Sequence, residues 1–153
     1  MRKKIKLGDV IEISTIKGNA YAQYVFNDNE YGQLIRILPG IYKTYPSDIK
    51  KIVEMKELYF VFYPLSISVR QNRVKIISNE KIPSYLEKKP ILRRPGNRES
   101  NGKVLNWWII DNDREYSVKN LNDKQVKYSL AVIVSFDLLE DKILTGWMPE
   151  DEI

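Results

Sequence analysis

Alternation of apolar and polar side chains marks the first quarter of the chain as a set of β-strands. Such alternation is typical of strands because successive side chains point to opposite faces of a sheet. Two polar segments, residues 17–19 and 27–29, separate the runs and contain residues that favour tight turns. The pattern predicts three strands in an antiparallel meander, as at the start of an SH3-like barrel, at residues 10–15, 20–26 and 31–38.

Shorter apolar runs in the middle of the chain predict a mixture of strands and helical turns. Ile49, Ile52 and Val53 recur at helical spacing, and Ser47 before them is a suitable N-cap. The continuous apolar run at residues 58–63 predicts a buried central strand. The other predicted elements are a strand pair at residues 66–69 and 73–78, a helical turn at 82–86, an extended segment at 90–96 and a loop at 97–102.

Residues 103–118 predict a strand, a polar turn and a second strand, and they contain two of the three tryptophans. The first strand is largely apolar on both faces, with Leu105, Trp107 and Ile109 on one and Val104, Trp108 and Ile110 on the other. That pattern favours a strand covered on both sides. Asp111, Asn112 and Asp113 follow it as a polar turn, because these residue types tolerate turn geometry.

The last third of the chain predicts one more strand and two helical segments. Residues 122–128 begin like a short helix, 130–134 form an apolar run typical of a buried strand, and 136–144 have helical periodicity. Gly146 is a suitable helix stop, and residues 150–152 predict a frayed acidic tail. Together these patterns predict one domain over residues 1–153. Its fold class is mainly β with short helices (α+β): an antiparallel meander sheet, partly open like a small SH3-like barrel, with additional strands.

Composition excludes several classes of chemistry. The chain has no cysteine and no histidine, which removes disulfides, thiolate metal sites and the usual general base for a nucleophile. No apolar run approaches the roughly 20 residues that a membrane span needs. The basic start resembles a signal sequence, but Gly8 and Asp9 interrupt it before an apolar core forms. We therefore expect a cytoplasmic protein without enzymatic activity, cofactor, metal or membrane partner.

Charge is distributed unevenly along the chain. The net charge is +5, yet residues 70–98 contain nine lysines and arginines against two acids, a net of +7. Residues 137–153 contain six acids and one lysine, a net of −5. A solvated surface accounts for this asymmetry, and so does orientation toward a charged partner.

Two kinds of ligand site receive little support. No glycine-rich loop has the spacing that cradles phosphates in nucleotide-binding proteins. Asp111 and Asp113 lie two residues apart and could bind a hard cation, but no calcium-loop pattern surrounds them. A polar turn is therefore the favoured interpretation of this pair.

The basic segment and the tryptophans are the candidate binding residues. Arg93, Arg94 and Arg98, with the lysines before them, could follow a nucleic-acid backbone while Tyr85 and Trp108 stack on bases. The same cations could equally meet an acidic protein surface. Because neighbours on a strand face opposite ways, either both tryptophans pack inside, or Trp108 is an anchor at a partner interface.

Three stretches of the sequence resemble the immunity protein 26 family of bacterial polymorphic-toxin systems. The first is KLGDVIEI at residues 6–13, followed by GNAYAQ at 18–23. The second is FYPL at 62–65, VRQ at 69–71 and VKIISNE at 74–80. The third is GKV at 102–104 and NWW at 106–108, with GWMPE at 146–150. Their order and spacing cover almost the whole chain.

The resemblance implies a small cytoplasmic protein that binds a cognate toxin domain and blocks it without catalysis. One departure is the positive charge, since many immunity proteins are acidic and cover basic toxins. For this chain, either the toxin surface that it binds would be acidic, or the acidic carboxy-terminal end of the chain would make the main contact with the toxin. The alternative is a small-barrel nucleic-acid-binding protein. The residues expected near the partner are Arg93, Arg94, Arg98, Trp107, Trp108, Asp111 and Asp113.

Overall fold

The computed structural model describes residues 4–153, with nine strands and three α-helices in that range. The strands are β1 Asp9–Thr15, β2 Gly18–Asp28, β3 Gly32–Ile37, β4 Tyr59–Phe62, β5 Lys75–Asn79, β6 Leu92–Pro95, β7 Trp107–Asp111, β8 Arg114–Val118 and β9 Ser129–Leu130. The helices are α1 Ile49–Glu54, α2 Leu65–Arg70 and α3 Phe136–Thr145. Single 3₁₀ turns occur at Ser84–Leu86, Gln125–Lys127 and Pro149–Asp151.

The strands form two sheets that meet along one seam. The first sheet has the order β4-β3-β2-β1-β5, and the second has the order β8-β7-β6-β9. All named pairs are antiparallel except β6 with β9. At the seam the Phe60 amide donates to Ser129 Oγ at 2.8 Å, and the Val134 amide donates to the Phe62 carbonyl at 2.8 Å. The mainly β, α+β expectation is confirmed, whereas the sheets of residues 4–153 are not closed and the SH3-like barrel is not confirmed.

Both faces of the first sheet are covered. One face packs against α2 and α3, and the other is shared between α1 and the second sheet. The cluster between the sheets consists of Val25, Leu34, Phe62, Leu86, Leu92, Ile110 and Ala131. Among the strands of the second sheet, β6 contributes Leu92 to this cluster and β7 contributes Ile110. The remainder of that face of the second sheet lies outside the cluster.

The predictions with strong local signals are confirmed. The meander is present with tight turns between β1, β2 and β3. Helix α3 begins after Ser135, whose hydroxyl accepts from the Leu138 amide, and it ends at Gly146 in the left-handed conformation. Helix α1 buries Ile49, Ile52 and Val53 as predicted. Its N-cap is Asp48 rather than Ser47, because the Asp48 carboxylate accepts from the Lys50 amide.

The prediction of a strand at residues 66–69 is wrong, because this segment lies within α2. Its sequence alternates serine with isoleucine and valine, which imitates a strand. The buried residues are instead Leu65, Ser68 and Val69, whose spacing matches one side of a helix. The predicted turn after it is present, and Asn72 takes a positive φ of 59° there.

The two predictions for the end of the chain need correction. Only Leu130 of the expected 130–134 strand lies in β9, and Ile133 is 62% exposed. The acidic end is not frayed, because Pro149–Asp151 forms a 3₁₀ turn held from two sides. The Pro149 carbonyl accepts from the Arg93 guanidinium at 2.6 Å, and Lys142 pairs with Glu152 at 3.2 Å.

Candidate functional site

The two tryptophans of β7 lie on opposite faces of the second sheet, as strand geometry requires. Trp107 is 5% exposed and packs under the Arg93 guanidinium, whose carbon is 4.4 Å from the ring centroid. Trp108 is half-buried and lies beside Arg94, whose guanidinium carbon is 5.7 Å from the centroid of the Trp108 ring. The prediction of a strand covered on both faces therefore holds for the face that carries Trp107. The face that carries Trp108 is partly open to solvent. The strand begins only at Trp107, and Leu105 before it is exposed.

Arg93 belongs to the interior and not to a binding surface. It is fully buried in β6, between β7 and β9. Its Nε donates to the Tyr128 carbonyl at 3.1 Å, and its Nη2 donates to the carbonyls of Val126 and Pro149. Burial lowers the pKa of Arg93, and the acidic Glu150 and Glu152 act in the opposite direction. Arg93 and Trp107 were expected near the partner, but both side chains are enclosed by the protein itself and offer no exposed surface for a direct contact.

Arg94 and Trp108 form the centre of an exposed surface on the other face. They are direct neighbours across β6 and β7, and Ser117 of β8 lies opposite Trp108. Arg94 reaches across β7 to Glu115, with 3.6 Å between Nη1 and Oε1. Asn106 completes the row, because its amide donates to Ser117 Oγ at 2.9 Å. We call this surface the tryptophan face; it consists of Arg94, Asn106, Trp108, Glu115 and Ser117.

Asn106 also fixes the loop that carries Arg98. Its Oδ1 accepts from the Asn97 amide at 2.8 Å. Gly96 permits this approach, since a Cβ at that position would lie 2.5 Å from the Asn106 side chain. Arg98 itself is exposed, and its guanidinium donates to the Gly102 carbonyl at 2.8 Å. The loop is therefore an ordered rim at the end of the tryptophan face.

The hairpin tip separates two cavities. Asp111 lines a cavity of about 350 Å³ together with Tyr85 and Lys88. Asp113 lines a cavity of about 340 Å³ together with Tyr31 and Glu115. The two carboxylates thus line different cavities instead of one common site, and residues 4–153 contain no group of three potential metal ligands. The polar-turn interpretation agrees with this geometry, and Asn112 between them has a φ of 56°.

Much of the basic segment is neutralised within the fold. Lys89 lies 2.5 Å from Asp28, and both side chains are largely buried. Burial raises the pKa of Asp28, but hydrogen bonds from Lys89 and two backbone amides outweigh it and hold that pKa below its usual value. Arg93 is interior and Arg94 is paired with Glu115. Less positive charge is therefore available to a phosphate backbone than the sequence implies.

Sequence reasoning missed Glu115 and Ser117 as members of the tryptophan face. The signal was present, because a two-residue turn at Asn112 and Asp113 fixes the register of the hairpin. That register places Ser117 opposite Trp108 and Glu115 opposite Ile110. The pairing of Arg94 with Glu115 was not predictable, since it also requires β6 to lie beside β7.

Comparisons with known proteins identify no relative. No family model matches the chain, and neither a curated protein nor a solved structure matches it. The resemblance to immunity protein 26 therefore stays a prediction. None of the helices in the described part of the chain has the length and apolarity that a membrane crossing requires.

Proposed function

We propose that this chain is a non-enzymatic immunity protein that binds a cognate bacterial toxin domain in the cytoplasm and neutralises it. The proposal rests on the resemblance and on one structural observation. A half-buried tryptophan, Trp108, lies beside an arginine on a rigid sheet. Tryptophan and arginine are the residue types most enriched among the anchors of protein interfaces.

The tryptophan face is suited to binding because it is organised before a partner arrives. Arg94 and Trp108 lie on paired strands, and Glu115 holds the guanidinium in place. Side chains that are already ordered lose less conformational entropy on association. The exposed Arg94–Glu115 pair contributes little to folding, at most about 1 kcal/mol, so its main value would be in orienting the arginine.

Neutralisation would occur by occlusion. A toxin surface seated on the tryptophan face would also meet the Arg98 rim and the cavity beside Asp113. These elements carry charges of both signs around one aromatic ring, which favours a specific protein partner over a uniformly charged polymer. The charges would orient the toxin, and the buried ring would supply most of the affinity.

The alternative, a small-barrel nucleic-acid-binding protein, has less support. Three cations of the basic segment, Lys89, Arg93 and Arg94, have partners within the fold. Nucleic-acid binding depends on cations that are free to replace counterions, so its affinity falls steeply with salt. Titration of a mixed single-stranded oligonucleotide against salt tests this alternative. Tight binding that weakens steeply with salt would favour it over the toxin proposal.

Replacing Trp108 with alanine tests the proposed function. A candidate toxin domain, sought among the products of the adjoining genes, would be co-expressed with the wild-type protein and with the Trp108→Ala and Arg94→Ala variants. We expect Trp108→Ala to weaken toxin binding by about 2 kcal/mol or more, roughly thirtyfold, because a central aromatic anchor is lost. Isothermal titration measures the affinity, and survival of the host measures protection.

The matched control is Tyr45→Ala, which removes another exposed aromatic ring far from β7 in the chain. Tyr45 is 60% exposed and touches Tyr21 through an edge contact. We expect its loss to leave protection unchanged. Thermal unfolding of each variant verifies that the fold is intact. Full protection by a folded Trp108→Ala, Arg94→Ala double variant would contradict the proposed site.

A further inference from the structure

A groove lined by lysines lies beside β4, on the side of the hairpin tip that carries Asp111. It consists of two adjoining cavities of about 350 and 260 Å³. Both are lined by Lys56, Glu57, Phe60, Pro90 and Ile91, so they share one wall and together border a channel beside β4. We call this channel the lysine groove.

The floor of the lysine groove is apolar. Phe60 and Ile91 are half-buried along its middle. Leu58 is 42% exposed at one end, and Tyr85 is 54% exposed at the other. Tyr85 is held in place because its hydroxyl donates to Glu57 Oε1 at 2.8 Å. Exposed apolar surface bordered by charges is typical of a binding groove.

The charge that the groove presents is positive. The Glu57 carboxylate is committed to the protein, since it accepts from the buried Arg36 and from Tyr85. Lys89 is likewise paired with Asp28. The solvent-exposed cations that remain along the groove are Lys56, Lys88 and Lys127, against the single carboxylate of Asp111.

Lys56 is directed over the groove. Its Nζ lies 5.1 Å from the centroid of the Tyr85 ring and 3.9 Å from the second oxygen of Glu57. Its side chain is nevertheless 81% exposed, so its charge is available to an incoming anion. The cation–π contact holds an exposed lysine near the apolar floor with a stabilisation of about 0.5–1 kcal/mol.

Carboxylates lie in two cavities that adjoin the half of the lysine groove lined by Tyr85 and Asp111. Past Tyr85, a cavity of about 590 Å³ is lined by Glu54 and Glu80 as well as by two lysines. Past the hairpin tip, the neighbouring cavity is lined by Asp113 and Glu115. A polynucleotide, which carries a phosphate at every step, would meet the carboxylates of Asp113 and Glu115 where it passes the hairpin tip. A polypeptide with a short acidic stretch would place its carboxylates near the lysines and uncharged residues near this tip.

We propose that the lysine groove binds an acidic, extended segment of another polypeptide. Carboxylates of that segment would pair with Lys56, Lys88 and Lys127, and alternate apolar side chains would pack on Phe60 and Ile91. Within the proposed function, on which this part rests, the segment belongs to the toxin. That assignment accounts for how a chain of net charge +5 serves as an inhibitor, since its groove requires an acidic toxin element.

Binding of a synthetic peptide tests the groove without any toxin. The probe is a fluorescent peptide that alternates glutamate with leucine and phenylalanine, and the readout is fluorescence anisotropy. We expect saturable binding that weakens with added salt. A peptide with lysine in place of glutamate and a single-stranded thymidine oligonucleotide should both bind weakly. Tighter binding of either one would overturn the proposal, as would no binding of the acidic peptide.

Charge reversal locates the binding site. The Lys56→Glu, Lys88→Glu double variant should weaken acidic-peptide binding by about tenfold or more, since each exposed pair is both lost and made repulsive. The matched control is Lys43→Glu with Lys75→Glu, which changes the net charge equally at two exposed lysines that line neither cavity. A second variant, Lys56→Glu with Lys127→Glu, repeats the test with a lysine that lines only the cavity of about 260 Å³ at the other end of the groove. Equal weakening by the control would overturn the site.

The outcomes separate this inference from the proposed function. If the peptide fails to bind while Trp108→Ala abolishes protection, the groove proposal is overturned and the immunity function stands. If the peptide binds at the groove while the wild-type chain gives no protection against the toxin, the groove proposal stands and the immunity function is overturned.

Discussion

Adjacent arginines in β6 have opposite environments because strand side chains alternate between faces. Arg93 is enclosed between Trp107 and three backbone carbonyls, whereas Arg94 lies at the surface beside Trp108. A buried guanidinium is stable only when its donors are occupied, and Arg93 uses two of its three nitrogens in this way. Its Nη1 has no hydrogen-bond partner in residues 4–153. Arg93 is therefore a structural residue that connects β6 to the end of the chain.

Replacement of each arginine by methionine distinguishes these roles. Arg93→Met should lower the free energy of unfolding by roughly 2–4 kcal/mol, because the buried Pro149 carbonyl and two partly buried carbonyls lose their donor. Arg94→Met should lower it by less than about 1 kcal/mol, since an exposed ion pair contributes little. Urea denaturation measures both values. Similar losses for the two variants would contradict the assignment of Arg93 to the interior.

Arg93 and Arg94 also differ in how far their environments can be predicted from the sequence. Alternation alone separates the faces of Trp107 and Trp108. It does not reveal that Arg93 is enclosed, because its acceptors at Tyr128 and Pro149 are 35 and 56 residues away along the chain. The signals that predict an exposed basic cluster are local, whereas the enclosure depends on tertiary contacts.

Among the secondary-structure elements, those with local determinants were predictable. The β1–β2–β3 meander has alternating side chains and turn residues, and α3 has a serine cap and a terminal glycine. Helix α2 was not predictable, because its alternating sequence favours a strand and only packing of Leu65 and Val69 decides for a helix. The lysine groove was missed for a related reason. Its walls come from β4, from the segment after Tyr85 and from the residues before β9, which no single sequence window contains.

The turn of the β7–β8 hairpin depends on Asn112, which has a φ of 56°. Asparagine tolerates this conformation and a β-branched residue does not. Asn112→Val should therefore lower the free energy of unfolding by about 1–2 kcal/mol and weaken protection, because the hairpin positions Trp108. Asn112→Gly should retain both stability and protection. Thermal unfolding and the co-expression assay measure the two effects, and equal behaviour of the two variants would contradict the role of the turn.

At the scale of the whole molecule, the binding surfaces depend on how the two sheets are joined. The seam between β4 and residues 129–134 supplies two hydrogen bonds, and the apolar cluster around Phe62 and Ile110 fills the space between the sheets. The Asp28–Lys89 pair adds a polar connection from the end of β2 to the segment before β6. Lys89 also lies 5.7 Å from the Phe62 ring, so the pair borders this apolar cluster. Loosening that connection would displace the tryptophan face relative to the lysine groove.

The contribution of Asp28 should therefore depend on pH. Its pKa in the folded protein is below the value of about 4 in an unfolded chain, so the charged pair stabilises the fold above pH 4. This stabilisation is lost as the pH falls through the folded-state pKa. Asp28→Asn, which keeps an acceptor for the Tyr31 amide, should lower the free energy of unfolding by roughly 1–3 kcal/mol at pH 6 and by less at pH 3.

Urea denaturation across this pH range measures how much the Asp28–Lys89 charge pair contributes to the free energy of unfolding. Asp123→Asn is the matched control because Asp123 is exposed. The control should differ little from wild type at either pH. A deficit of Asp28→Asn that is the same at pH 3 and pH 6 would mean that the loop depends on the shape of this side chain. The sheets would then be held by the apolar cluster and the seam alone. A deficit that disappears in acid would show that the Asp28–Lys89 charge pair holds the second sheet in place, and with it both proposed binding surfaces.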